Sequence, residues 1–451
     1  MLTISAKTFG CKANQADTAA LLDGLTAKLS GVPFELVPPE QAADVVLINT
    51  CTETHSADSD ARQAIRRAAR ARPGARVVVT GCYAQTDRQA LLAMPEVTAV
   101  VGNVDKALLP ELLARVVRGE ACLEPRRDGH RDWNPTLRDA VAIRRLPAGL
   151  DRPFVKVQDG CDYTCSFCVI PTARGPSRSR SLEDVSAEVR RYEALGAEEI
   201  VLTGIHLGHW GRDLDPRQRF GAMLEALLHQ TATARFRISS LEPNEVDSHV
   251  LDLVANHPRV CRHLHVPLQS GSDTTLRRMR RVYRTPKYAE ILKKFRQAVP
   301  LGAFGADVMV GFPGETDEAF EETVAFIESL DFSYLHVFPF SARRGTEAAL
   351  MPDAVPPPVA RERAARLLDL STRRLSAHVA RSVGTAQRVL VETGLGPGGL
   401  RQGYTEAYVG VRFAGSGHRA GRIIPVVIER SDGQWGYGTP LEPSEVEREA
   451  A

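Results

Sequence analysis

Three cysteines, Cys161, Cys165 and Cys168, follow a short apolar run in PFVKVQDGCDYTCSFCVIPTARG. Three thiolates on one tight loop after a strand can hold three irons of a cubane cluster and leave the fourth without a protein ligand. Thiolates also suit zinc, but a structural zinc site wants four ligands, usually as paired C-x-x-C knuckles. The next cysteines, Cys122 and Cys261, lie in different segments. A zinc loop completed by a distant His or Cys, or three core thiols, is the alternative reading. The loop therefore demands a fold that presents its strand ends to a common site.

The first hundred residues supply a second such set. Apolar runs at Leu2–Ile4, Val45–Ile48, Val77–Val79 and Val97–Val101 read as strands. Helical stretches at Thr18–Leu29, Ala57–Ala71 and Asp87–Ala93 alternate with them. That alternation predicts a doubly wound parallel sheet, covered on both faces. Cys11, Cys51 and Cys82 each fall just past a predicted strand, at the edge where open α/β sheets gather ligands. Gly10 and Gly81 precede two of them and permit tight turns. Free cysteines are often simply buried, but three at equivalent strand ends point to a shared metal site.

From Pro153 the alternation restarts. Strands are predicted at Phe154–Val157, Glu199–Thr203, Arg235–Ser239, His263–Pro267, Ala306–Val310 and Ser333–Phe338, with helices such as Leu182–Leu195, Phe220–His229 and Asp317–Leu330 between them. Six strand–helix units predict an open, partial (β/α)6 barrel with its reactive groups at the carboxyl ends of strands. The cysteine loop follows the first strand, as that rule requires. Thr203 and Gly204, Glu242, Gln269 and Ser270, and Gly311, Pro313 and Gly314 end the following strands and are candidates for holding a ligand. Glycines there allow close backbone approach, whereas a carboxylate after a strand is also a common helix cap. His206, His209, His263 and His265 read as ordinary polar residues.

An Arg-rich helix is expected over Pro357–Arg381. After Gly384 come short β-like runs, Gln387–Glu392, Tyr408–Phe413 and Gly421–Ile428, separated by Gly-rich turns. They predict a small antiparallel β-barrel. Arg388, Arg401, Arg412, Arg419 and Arg422 would give it a basic face suited to RNA; a plain capping module is the alternative. The expected domains are 1–122, a polar linker at 123–147, 148–382 and 383–445. Arg62, Arg66, Arg67 and Arg70, and then Arg277, Arg278, Arg280, Arg281 and Arg284, form local clusters in a chain of net charge only +2. Each is either a phosphate-binding patch or a solvated helix face. No run approaches the roughly 20 apolar residues of a membrane helix, and the N-terminus lacks a signal-peptide stretch. Eight cysteines in 451 residues make no disulfide framework and point to metal or catalytic thiols in a reducing cytoplasm.

The C-x-x-x-C-x-x-C spacing resembles that of radical S-adenosylmethionine (SAM) enzymes. The wider set NTC, GCYAQ, GCDYTCSFCVIP, RGPSRSR, SSLEP and PLQSGS resembles the methylthiotransferase family of those enzymes over nearly the whole chain. The resemblance implies an N-terminal cysteine domain, a radical SAM core and a TRAM-like RNA-binding barrel. It implies two 4Fe–4S clusters: a SAM-cleaving one on Cys161, Cys165 and Cys168, and an auxiliary, sulfur-delivering one on Cys11, Cys51 and Cys82. The strand-end residues Thr203, Gly204, Glu242, Gln269, Gly311 and Gly314 become SAM contacts. GCKANQ, TGIHLG and GPSRSR resemble the branch that methylthiolates carbon 2 of N6-threonylcarbamoyladenosine at position 37 of tRNA, using two SAM. Other branches act on isopentenyladenosine in tRNA or on a ribosomal protein aspartate. Thr172 departs from the pattern, where an aromatic residue is frequent. Implied partners are a tRNA anticodon loop, a one-electron donor of flavodoxin or ferredoxin type, and a sulfur source of unstated identity. A reading of a different class is a non-catalytic RNA-binding protein with zinc sites.

Overall fold

Five runs of the first hundred residues pair as one parallel sheet in the computed structural model, which describes residues 1–29, 31–120, 143, 146, 151–415 and 417–441. The elements are β1 (Leu2–Thr8), α1 (Lys12–Lys28), β2 (Phe34–Val37), β3 (Val45–Thr50), α2 (His55–Ala71), β4 (Arg76–Gly81), α3 (Cys82–Thr86), α4 (Arg88–Leu92), β5 (Val97–Val101) and α5 (Leu109–Arg118). The strand order is β2-β1-β3-β4-β5. Every residue of β3 is buried, because alternate side chains enter two cores. Val45 and Leu47 pack with Leu21, Leu25 and Leu113 under α1 and α5; Val46 and Ile48 pack with Ile65, Val79 and Leu91 under α2 and α4.

The central unit holds β6 (Phe154–Lys156), β7 (Gln158–Asp159), α6 (Ile170–Arg174), β8 (Arg178–Ser179), α7 (Leu182–Ala194), β9 (Glu199–Thr203), α8 (Phe220–Gln230), β10 (Arg235–Ile238), α9 (Ser248–Asn256), β11 (His263–His265), α10 (Asp273–Arg278), α11 (Thr285–Ala298), β12 (Ala303–Val310), α12 (Asp317–Glu328), β13 (Tyr334–Pro339) and α13 (Pro357–Ala380). Two three-stranded parallel sheets, β6-β9-β10 and β11-β12-β13, are joined by single bridges Phe236–Val260 and Ser240–His265. The six strands thus form an open barrel. Its outer face is one apolar core under the helices, while Glu199, Arg235, Arg237, His263, His265 and Asp307 make a polar lining.

The last unit is a closed barrel of β14 (Ala386–Leu395), β15 (Arg401–Thr405), β16 (Gly410–Phe413), β17 (Ile423–Ser431) and β18 (Gly436–Pro440). α13 links it to the centre: Leu367 and Leu370 enter the central core and Val379 the barrel core. Buried Glu199 ties the two together by pairing with Arg152 at 2.7 Å, Arg235 at 2.6 Å and Arg237 at 2.8 Å. Those last two arginines donate on to the carbonyls of Arg388 (3.0 Å) and Thr405 (2.9 Å).

Several expectations change. α1 starts at Lys12, not Thr18, directly after Cys11. β2, the β7–β8 ribbon, β15 and β18 add strands that short or Gly-rich segments concealed. The arginines of 277–284 do not form one uniform face: Arg277 and Arg280 are exposed, whereas Arg281 is buried. Arg281 is buried and ion-paired with Glu242, Arg280 pairs with Glu347 at 2.5 Å, Arg278 donates to the Pro313 carbonyl at 3.0 Å, and Arg284 to the Arg281 carbonyl at 2.7 Å. In the closed barrel, Arg388 bonds Pro258 O at 2.7 Å, Arg422 pairs with Glu198 at 2.8 Å, and Arg412 stacks 4.1 Å over Trp435. The linker at 123–147 lies outside the described residues except Ile143 and Leu146, and Cys122 lies outside them too. Among the described residues no helix is long and apolar enough to cross a membrane.

Candidate active site

The sheet order reverses between β1 and β3, and ligands of doubly wound sheets bind outside the carboxyl ends of strands at that reversal. Cys11 caps α1 after β1, Cys51 follows β3, and Cys82 opens α3 after β4. Gly10 has φ +84, and a Cβ there would lie 2.6 Å from the Sγ of Cys51, so two of the cysteine turns are in direct apposition. Asn14 holds them together by donating to the carbonyls of Phe9 (2.9 Å) and Thr50 (3.0 Å). Cys82 Sγ accepts from Asn103 Nδ2 at 3.5 Å.

The second trio sits on the loop between β7 and α6. Gly160 has φ +75, and a Cβ there would fall 1.9 Å from the Pro176 carbonyl oxygen, so only glycine turns the chain into Cys161. Cys161 N donates to Gly175 O at 3.0 Å, closing the loop at its base. Its sulfurs are met by donors. Tyr163 N lies 3.4 Å from Cys161 Sγ, His206 Nδ1 also 3.4 Å, and Arg281 Nη1 3.3 Å from Cys165 Sγ. Such donors stabilise the negative charge of thiolates and of a cluster they hold. Phe167, inside the loop, joins an apolar wall with Met279, Met309 and Phe312.

The two trios face each other across the domain boundary. Asn103 Nδ2, beside Cys82, also donates to Ala173 O at 2.8 Å, in the helix that follows Cys168. Arg174 of that helix pairs with Asp17 of α1 at 3.1 Å and with Asp159 at 2.8 Å, and reaches Asn14 Oδ1 at 2.6 Å. Asp17 further takes Lys106 at 2.9 Å and Lys156 at 2.5 Å. Burial would raise the Asp17 carboxyl, but the three cations hold it well below the usual range. A second clamp joins the Cys51 loop to the segment after β13: Arg343 reaches Thr52 Oγ1 and Asp58 Oδ2, both at 2.5 Å. Burial raises the Cys168 thiol, and the charge of Glu53 in the Cys51 loop adds to that.

Burial pushes the thiols of Cys51 and Cys168 up to about 12 and raises those of Cys11 and Cys165. Cys11 is nonetheless open to solvent. The donor sets fit iron–sulfur clusters: each trio supplies three thiols with a donor aimed at sulfur, whereas Cys261 is buried with its Sγ 3.8 Å from Glu199 Oε2.

Thr203 ends β9, and Gly204, Glu242, Gln269, Gly311 and Gly314 follow the carboxyl ends of barrel strands. Glu242 reaches the cysteine loop through Arg281, which also bonds Cys165. Gln269 has φ +62 and a buried Oε1 without a hydrogen-bond partner. Gly311 and Gly314 have a protein reason for lacking a side chain: a Cβ would meet Ala360 at 2.7 Å and Arg278 at 2.5 Å. His206 and His209 are not ordinary polar residues. His206 contacts Cys161, stacks on His209 with centroids 3.5 Å apart, and has Nε2 2.6 Å from Glu245 Oε1. Burial opposes its charge, but the Cys161 sulfur and Glu245 outweigh that and raise it to about 9; burial and the His206 charge hold His209 near 4. Their place in TGIHLGH, at the end of β9, is the signal that marks them. His263 and His265 line the lumen and share Tyr334 Oη at 2.8 and 3.2 Å.

Residues 155–327 match the family model described as Radical SAM superfamily, and residues 3–102 match Uncharacterized protein family UPF0004. A Bacillus subtilis (strain 168) protein named threonylcarbamoyladenosine tRNA methylthiotransferase MtaB is 37% identical over 451 residues, covering 97% of this chain and 96% of its own. A Thermobifida fusca (strain YX) protein named tRNA-2-methylthio-N(6)-dimethylallyladenosine synthase is 35% identical over 401 residues, 87% of this chain and 78% of its own. Among solved structures, the radical S-adenosylmethionine methyltransferase TsrM from Kitasatospora setae, with cobalamin and a [4Fe-4S] cluster bound, superposes with TM-score 0.53 at 16% identity, over 88% of this chain and 81% of that one.

Proposed function

The chain belongs to the radical SAM methylthiotransferases that modify tRNA, and on that footing we propose that it adds a methylthio group to carbon 2 of N6-threonylcarbamoyladenosine at position 37, with two 4Fe–4S clusters and two SAM. The observation that carries this reading is the linkage of the two cysteine-bearing segments through Asn103, Arg174–Asp17 and Arg343–Asp58. The carbon-2 hydrogen of an adenine is not acidic, so a general base does not suffice. When bound, the clusters supply the electron that cleaves SAM and the sulfur that is delivered.

Cys161, Cys165 and Cys168 hold the SAM-cleaving cluster, and Cys11, Cys51 and Cys82 the auxiliary one. Arg281, His206 and the Tyr163 amide stabilise the first set of sulfurs, and Asn103 the second. Phe167, Met279, Met309 and Phe312 keep water from the reacting centre. Thr203, Gly204, Glu242 and the unpartnered Gln269 Oε1 orient SAM, with Gly311 and Gly314 shaping that wall. An anticodon-loop base can be splayed from its stack into the cavity, as a base in an A-form helix cannot. A one-electron donor of flavodoxin or ferredoxin type and a source of replacement sulfur complete the cycle.

The threonylcarbamoyl acceptor is supported by relatives of that name at 35–37% identity over 85–97% of the chain. The 35% identity to the dimethylallyladenosine enzyme supports a second reading, with isopentenyladenosine as acceptor. Nucleoside mass spectrometry of tRNA from a strain lacking the gene decides between them. The first reading expects the methylthio derivative of threonylcarbamoyladenosine to vanish and its parent to accumulate. Loss of the isopentenyl derivative instead would establish the second.

A further inference from the structure

We propose that His336 selects the acceptor, by binding the carboxylate of the threonylcarbamoyl group in the barrel lumen beside Asp307. This rests on the acceptor reading above and deepens it. That group carries an ionised α-carboxylate at neutral pH, with a hydroxyl and ureido N–H groups beside it, whereas an isopentenyl group is neutral and apolar. Either is attached to the same six-membered ring as carbon 2, so it enters close to the cysteine loop.

Strand alternation fixes what faces the lumen. Leu264 of β11, Ala306 and Val308 of β12, and Leu335 and Val337 of β13 belong to the outer core. Their alternates turn inward in three layers about 7 Å apart. The floor is His263 and Tyr334, closed by Tyr408 of the tail barrel, whose ring centroid lies 4.9 and 5.7 Å from theirs. A Cβ on Gly305 would enter the Tyr334 ring, so that glycine makes its room. The top layer is Met309 and Phe338, packed in the apolar wall with Phe167 of the cysteine loop. Between floor and wall lies one polar layer: His265, Asp307 and His336.

Asp307 and His336 are register partners across β12 and β13. Asp307 Oδ1 takes His265 Nε2 at 3.0 Å and His336 Nδ1 at 3.2 Å, and the two imidazoles stack with centroids 5.0 Å apart. His265 is fully engaged, its Nδ1 lying 3.2 Å from Tyr334 Oη. His336 is not. Among the described residues its Nε2 and Asp307 Oδ2 have no hydrogen-bond partner. Its side chain is 60% exposed although it turns inward, so solvent reaches this layer. As the imidazolium, His336 donates Nδ1–H to Asp307 and Nε2–H to an incoming carboxylate, while Asp307 Oδ2 accepts from the hydroxyl or a ureido N–H. The arginines of the lumen are otherwise held: Arg235 and Arg237 by Glu199, and Arg281 by Glu242. An isopentenyl group in this layer would strip water from both free atoms and return no hydrogen bond.

Anaerobically reconstituted, SAM-free protein is titrated with anticodon stem-loops carrying adenosine, isopentenyladenosine, threonylcarbamoyladenosine or its methyl ester at position 37, read by fluorescence anisotropy. Wild type should favour the threonylcarbamoyl loop over the other three. His336→Leu should weaken that loop alone by about ten- to a hundred-fold, the scale of a charged hydrogen bond, and bind acid and ester alike. His336→Gln, which still donates, should retain part of the preference. Iron content should be unchanged in both. Equal weakening of all four loops would assign His336 to an RNA phosphate, and loss of iron would assign it to the fold; either overturns the inference. So does a wild type that binds the ester as tightly as the acid, which would leave the contact to the hydroxyl. A wild-type preference that survives in His336→Leu, or a wild type that binds all four loops equally, overturns this inference alone. A wild-type preference for the isopentenyl loop overturns it together with the acceptor reading.

Discussion

Arg174 and Asp17, 157 residues apart, meet with Nη2 3.1 Å from Oδ2 in a site closed to solvent. Arg174 ends the helix after Cys168, and Asp17 lies in the helix after Cys11, so this pair sets how one trio faces the other. Arg174, Lys106, Lys156 and, at 3.9 Å, Arg178 share the carboxylates of Asp17 and Asp159 here. Asp17→Ala leaves Lys106 without its carboxylate and should cost about 3–5 kcal/mol, the range for breaking a buried pair. Denaturant unfolding of the apo protein checks this; a loss below about 1 kcal/mol would show the network to be incidental.

Donors to sulfur stabilise the more negative, reduced state of a cluster and raise its potential. Arg281→Met should therefore lower the midpoint of the SAM-loop cluster, on the order of tens of millivolts, and leave the auxiliary one in place. Asn103→Ala should do the reverse. Redox titration followed by electron paramagnetic resonance distinguishes them, and a shift of both clusters in either variant would refute separate assignment of the donors.

His378 anchors the closed barrel: its Nε2–H donates to Ala407 O at 2.9 Å, and its buried Nδ1 has no partner. Burial holds its pKa near 4, below the ordinary 6.5. Between those values the unfolded chain binds a proton that the fold refuses. Stability is therefore full above pH 6.5 and falls as pH drops from 6.5 toward 4. From pH 7 to 5 wild type should lose about 2 kcal/mol more than His378→Gln. Parallel pH profiles would contradict this.

The cysteine geometry was legible because it depends on local signals. A Val/Ile run ending at Thr50 or Gly81 sends the next residue to the sheet edge whatever the rest of the chain does. The six central strands were legible for the same reason. What resisted was anything completed at long range. Arg281 reads as one of a basic cluster because its partners, Glu242 and Cys165, are 39 and 116 residues away. The start of α1 at Lys12 is masked by polar residues, since Asn14 and Asp17 are buried by partners in other segments rather than by apolar periodicity. β15 and β18, RQGYT and GYGTP, carry weak strand propensity and owe their form to closure of the barrel.

The claim on which all else depends is that each trio holds its own cluster. Iron per chain after anaerobic reconstitution tests it most directly. Two thiolate-held cubanes should give about eight irons in wild type. Substituting Cys161, Cys165 and Cys168 together by alanine should leave about four, and so should substituting Cys11, Cys51 and Cys82. Full retention of iron in either triple variant, or stoichiometric zinc in wild type, would contradict the account.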